Sequence, residues 1–183
     1  LYELIADMGW QKDPADLDAW VENYCVNRYG AYPAKMKEAW DLMRKSCYGS
    51  FTDHPRFNWQ FRPGARRGSV NVNATFRRAV EAFAACSQDF SDNKLYQADL
   101  IELTSAYIGA KIEDLIHLVP NYETYSEEKR DKAVQQIDDL FVLTDRLLQS
   151  HPLHRLDRWL NFAKKHGSNE KEKLYYESNA KRL

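Results

Sequence analysis

One spacing runs through almost the whole chain: apolar residues recur every three or four positions, the period of an α-helix. Leu17, Trp20, Val21 and Tyr24 make one apolar stripe, and Arg28 continues that face one turn on. Asp16 or Asp18 can accept hydrogen bonds from the amides left free where this helix starts. Gly30 ends it, because glycine tolerates the left-handed conformation that follows a last helical turn. Pro33 opens the next helix, where its missing N–H is harmless, and Met36, Ala39, Trp40, Met43 and Cys47 keep the spacing. These two helices are expected to form an antiparallel hairpin. Phe76, Ala79, Val80 and Phe83 line another helix. Ile101, Thr104, Ile108, Ile112 and Leu115 stripe a long one from about Asn93 to His117. Ser126 opens a second long helix, whose inward residues are read as Ala133, Ile137, Leu140, Phe141, Thr144 and Leu148. Beyond Pro152 a shorter helix carries Leu156, Trp159, Leu160 and Ala163 and closes at Gly167; a last helix starts near Asn169. Both ends of the chain read as the interiors of helices. The fold class is therefore all-α, a bundle of about seven helices joined mostly by short links.

The exception is a long irregular loop at about residues 49–72. It holds Gly49, Gly64 and Gly68 with Pro55 and Pro63, and shows no 3.6-residue period. Connections of this length inside compact domains are uncommon and often functional. Here "WQFRPGARR" sets Trp59 and Phe61 beside Arg62, Arg66 and Arg67. Flat apolar rings can stack on pyranose faces while polar groups hold hydroxyls, so Trp59, Phe61 and Arg62 are the candidate substrate-binding residues. The same aromatic and arginine pattern could stack bases and hold phosphates. Against that, 26 basic residues are balanced by 27 acidic ones, for a net charge of -1. That balance gives no general attraction to nucleic acid or an anionic membrane, and no nucleic-acid partner is expected. No apolar run approaches the ~20 residues of a membrane span.

Other constellations are weak. His151 and His154 lie three apart, but no third or fourth ligand stands at suitable spacing for zinc. Asp114 and His117 repeat the i, i+3 pattern of di-iron bundles once, where two such pairs and further glutamates are needed. Neither pair supports a metal site, and no cofactor is implied. Glu127 with Glu128, and Asp138 with Asp139, are sequence neighbours on helices, so each pair diverges by about 100° and cannot share a reacting atom. No nucleophile elbow, phosphate loop or dinucleotide fingerprint is present. Cys25, Cys47 and Cys86 fall on apolar helix faces and read as buried free thiols, with one disulfide among them as the alternative. Asn73 opens an Asn-Ala-Thr glycosylation sequon, meaningful only in a eukaryotic secretory pathway.

An ordered set of segments carries a resemblance. They are "YELIADMGW" from Tyr2, "DLDAWVENYCVNRYG" with Trp20, Tyr24, Arg28, Tyr29 and Gly30, and "AWDLMRKSCYG" with Trp40, Ser46 and Tyr48. Arg62-Pro63, "DLIELT" from Asp99 to Thr104, "RWLNFA" around Trp159, and "YYESNAK" with Tyr176, Glu177 and Asn179 follow in order. In this the chain resembles the helical C-terminal domain of glycoside hydrolase family 89, the α-N-acetylglucosaminidases. It departs from the family pattern at Ser105 and Ala106, where Arg-Gln is frequent, and at Asp157 and Arg158, where a glycine is frequent before the tryptophan.

The resemblance implies one helical domain over 1–183, an incomplete part of the C-terminal domain of a larger exo-acting glycosidase. It implies a catalytic barrel of the same parent as partner, and terminal α-linked N-acetylglucosamine as the glycan. Both catalytic glutamates, about 5–5.5 Å apart in a retaining enzyme, would lie outside this chain, which alone would be inactive. It further implies export, to a bacterial periplasm or outside the cell, or a lysosomal setting. The alternative is a stand-alone carbohydrate-binding or protein-interaction module acting through the long loop.

Overall fold

The computed structural model describes residues 2–48 and 74–181. The long loop read at about 49–72, with Asn73 beside it, lies outside the described residues. Among those described there are eight helices and no strand: α1 (Tyr2–Met8), α2 (Leu17–Tyr29), α3 (Ala34–Arg44), α4 (Ala74–Ala84), α5 (Lys94–Leu118), α6 (Glu127–Gln149), α7 (Leu156–Lys164) and α8 (Glu170–Ala180). The fold is all-α. The count agrees with the expected seven or so, and the opening segment, read as the interior of a helix, forms α1, of 7 residues.

Helix boundaries follow their local chemistry. Asp16 caps α2, its Oδ1 accepting from the N–H of Asp18 at 3.0 Å and of Ala19 at 3.2 Å. Gly30 closes α2 with φ 94°, and its N–H donates to the Val26 carbonyl at 2.9 Å. Pro33 stands at the cap of α3, one position before the first helical turn where the sequence placed it. Asn93, Ser126 and Asn169 cap α5, α6 and α8 through their side-chain oxygens.

α2 and α3 lie side by side as the expected antiparallel hairpin: Asp18 near the start of α2 meets Arg44 at the end of α3, and Tyr24 meets Trp40 midway. α3 runs closely beside α4, α4 beside α5, and α2 lies against α5. Side-chain volume sets how closely each pair approaches. Ala39 on α3 and Ala79 and Ala82 on α4 are buried and small enough for close approach. Between α2 and α3, by contrast, Tyr24 meets Trp40 edge-on with ring centroids 5.4 Å apart, which holds the two backbones apart. An Arg44–Asp18 ion pair of 2.6 Å spans the same gap.

The core lies where α2, α3, α4 and the first turns of α5 converge, with an aromatic centre of Tyr29, Phe83, Phe90 and Tyr96. Phe83 stacks on Tyr96 at 4.9 Å, Tyr29 meets Tyr96 edge-on at 5.9 Å, and the Tyr96 hydroxyl donates to the Phe83 carbonyl at 2.6 Å. Such pairs contribute ~0.5–1.5 kcal/mol each beyond their area. Cys25 and Cys86 are buried in this core, Cys47 is half-buried, and all three are free. Burial raises the Cys25 thiol to about 12 and that of Cys47 to about 11.

Further along α5, Ile101, Ile108, Ile112 and Leu115 are buried on a helix that runs beside α6. On α6 itself Ala133 is buried, while Ile137, Leu140, Thr144 and Leu148 are half-buried. Phe141 is 55% exposed, against its expected inward direction. α6 has one close helical neighbour, so its buried stripe is narrow, and Phe141 lies 100° round from Leu140.

α7 and α8 pack on each other. The approach is tight at Gly167, where an added Cβ would sit 2.5 Å from the Lys173 amide nitrogen. Their outer faces are apolar and open, with Trp159 57% and Leu174 65% exposed.

Candidate functional site

Among the described residues a groove of about 440 Å³ with mixed aromatic and polar chemistry lies between α1, α2 and the start of α5, and another of about 410 Å³ lies on α7 between Arg158, Trp159, Asn161, Phe162 and Lys165. The floor of the first follows from helical spacing. Trp20, Tyr24 and Arg28 are four apart on α2 and form one row; Asn23 and Asn27 form the row beside it. Glu3 and Asp7, four apart on α1, make the opposite wall.

The row is held stiffly. Trp20 stacks on Tyr24 with centroids 5.3 Å apart, and its indole N–H donates to Asp7 Oδ2 at 2.7 Å. The Arg28 guanidinium stands 5.7 Å from the centre of the Tyr24 ring. It is fixed there by a two-pronged bond to Asp99 of α5, Nε to Oδ2 at 2.5 Å and Nη2 to Oδ1 at 2.8 Å. Asp99 Oδ2 also accepts the Tyr29 hydroxyl at 2.7 Å. Asn93 completes the joint: while its side-chain oxygen caps α5, its amide nitrogen donates to the carbonyls of Arg28 and Tyr29.

The electrostatics follow from burial first. Tyr24 is pushed up to about 12 by burial, opposed by the Arg28 charge and reinforced by Asp99 and Glu3. Tyr29 is raised far above the usual phenol range by burial and then by the Asp99 charge. Arg28 is raised chiefly by its hydrogen bonds to Asp99. Neither phenol ionises near neutral pH, so neither supplies a base.

Trp59, Phe61 and Arg62, the substrate-binding candidates from sequence, lie outside the described residues, as do Arg66 and Arg67. His151 is buried, with Nδ1 accepting the Leu153 N–H at 3.3 Å, and His154 Nε2 lies 3.3 Å from the Ala98 carbonyl. The pair belongs to the turn between α6 and α7, pinning it to α5. Asp114 and His117 sit half-buried on α5. Among the described residues no group of three His, Cys, Asp or Glu side chains is placed to hold a metal ion. No described helix is long and apolar enough to cross a membrane. The groove was missed in the sequence because α1 closes it from outside the α2 stripe. Its signal was Arg28, a charged residue continuing an apolar face, which calls for a buried partner.

These features define a class: an all-helical domain with a buried aromatic centre, a polar-aromatic groove and an open apolar face, carrying no catalytic constellation among its described residues. The chain belongs to the alpha-N-acetylglucosaminidase (NAGLU) C-terminal domain family, whose sequence model matches residues 20–183. Human alpha-N-acetylglucosaminidase is 26% identical over 99% of the chain, and the chain spans about a quarter (26%) of that relative's length. Among solved structures, CpGH89 from Clostridium perfringens, in complex with its substrate GlcNAc-alpha-1,4-galactose, aligns with a TM-score of 0.81 at 22% identity, over 98% of this chain and 22% of its own. A family 89 glycoside hydrolase from the same organism, in complex with 2-acetamido-1,2-dideoxynojirmycin, gives 0.81 at 23% identity, with coverage of 98% and 22%. At these identities the structures establish the shared fold.

Proposed function

We propose that the chain is an accessory helical domain of an exo-acting α-N-acetylglucosaminidase. In this reading residues 1–183 form one helical unit of a longer C-terminal domain. It packs on a catalytic barrel of the same parent and helps wall a pocket for terminal α-linked N-acetylglucosamine. The family match across residues 20–183 carries the reading. The relatives' greater length supports it, since their chains hold some four times as many residues. So does the open apolar face of α7 and α8, because contiguous exposed apolar surface of this kind marks an interaction site. Trp59, Phe61 and Arg62 would then face the glycan from the long loop. Both catalytic glutamates are assigned to the barrel.

The test is direct. Purified chain is expected to leave 4-nitrophenyl α-N-acetylglucosaminide unhydrolysed above the buffer rate. Turnover that co-purifies with the chain through successive columns would overturn the assignment.

A further inference from the structure

We infer that two copies of this chain dock as a two-fold dimer, α6 of each seated antiparallel on α7 of the other. Two open stripes carry the inference, and they fit each other. On α6, Asp138, Phe141 and Asp145 step by three and then four residues and so share one face. All three are exposed, Phe141 at 55%, and Val134 and Val142 beside them are open too. Among the described residues α5 is the one close helical neighbour of α6, which leaves this face uncovered. On α7, Arg158, Phe162 and Lys165 step by four and then three, with Trp159 next to Arg158. Together with Asn161 they line the groove of about 410 Å³. The Trp159 indole N–H donates to the Leu153 carbonyl at 3.3 Å, and Phe162 meets His166 edge-on at 5.6 Å, so the groove walls are held before anything docks.

Charge selects the occupant. Arg155 at the start of α7 is matched by Asp157, and Lys164 by Glu177, each at 2.7 Å. Arg158 and Lys165 have no ion-pair partner among the described residues, and neither do Asp138 and Asp145. Asp145 accepts a neutral amide, that of Gln149, at 2.6 Å. In each stripe the like charges stand seven residues apart, about 10.5 Å at 1.5 Å per residue, with an aromatic ring between them. Read in opposite directions, the two orders coincide. Asp138 falls against Lys165, Phe141 against Phe162 in the groove, and Asp145 against Arg158.

An aromatic anchor in a pocket rimmed by matching charge is the arrangement that carries protein interfaces. A net charge of -1 gives two copies little to repel each other. Every copy carries both stripes, so a two-fold axis makes the contact twice and closes it. The inference does not depend on the assignment to a glycosidase, and it leaves Leu174 and Tyr175 of α8 open for a barrel.

The experiment is sedimentation of the full 183-residue chain over a range of concentrations. Monomer and dimer in exchange are expected, with no larger species, and added salt should favour monomer. Asp138→Lys with Asp145→Lys puts like charges in both seats, and so does Arg158→Glu with Lys165→Glu. Each pair should weaken self-association at least about tenfold, with α-helical circular dichroism unchanged. Mixing the two double variants restores opposite charge in both seats, and a mixed dimer should form, which also shows that both variants are folded. A chain that stays monomeric at every concentration overturns the inference. So does association that runs past the dimer, a double variant that dimerises like the unaltered chain, or a mixture that remains monomeric.

Discussion

Among the described residues, Asp99 joins parts of the sequence that lie far apart. Its two oxygens take the Arg28 guanidinium and the Tyr29 hydroxyl, partners 71 and 70 positions away. With both members of the ion pair about a quarter or less exposed, each is desolvated enough for the bond to matter and wet enough to limit its worth. Asp99→Asn keeps the shape but removes the charge and half of the paired geometry. We expect a loss of about 1–3 kcal/mol in urea unfolding, with α-helical circular dichroism retained; a loss below 0.5 kcal/mol would contradict this role. Side chains with local jobs were legible in the sequence: Asp16, Gly30 and Ser126 each act within four residues of themselves. Asp99 was not legible as a partner of Arg28, because no periodicity links positions on separate helices.

At the level of elements, periodicity gave the helices and neighbour volume decided their spacing. The apolar stripes of α4 and α5 are buried as read. Chain adjacency gave the α2–α3 hairpin but not its spacing: Tyr24 and Trp40 meet between those helices, whereas alanines draw α3 closer to α4. Phe141 failed because inward direction depends on how many neighbours α6 has. The α7–α8 pair rests on Gly167, where backbone passes close to backbone and no side chain can give way. Gly167→Ala is expected to cost about 1–3 kcal/mol and to speed hydrogen exchange in α7 and α8 while leaving α3 and α4 protected. Equal exchange across all four helices would show that the two ends of the molecule unfold as one.

Across the whole molecule, the core sets a response to alkali. Cys25 ionises ordinarily near 9 and Tyr24 and Tyr32 near 10, but burial raises all three to about 12. The unfolded chain therefore loses these protons first. The stability they contribute is whole below pH 9 and is lost as pH climbs through 9 to 12. The urea midpoint should hold between pH 7 and 9, then fall by at least about 1 kcal/mol equivalent by pH 10.5; a flat profile to pH 11 would contradict the burial of these groups. The all-α class and the family likeness were both readable from ordered local patterns. The groove was not, because it is assembled from α1, α2 and α5.

The first two turns of α5 hold three separate regions at once. Asn93 and Asp99 clasp the end of α2, Tyr96 sits in the aromatic centre, and the Ala98 carbonyl receives His154 from the α6–α7 turn. These grips point in different directions from one short cylinder. A single extra residue spliced in after Tyr96 would swing Ala98 and Asp99 through about 100°. The Asp99 half of the clasp and the histidine tether would then let go together, although Asn93 and Tyr96 had not moved. Those seven positions behave as a keyed spindle, whose pitch between the teeth sets all three grips.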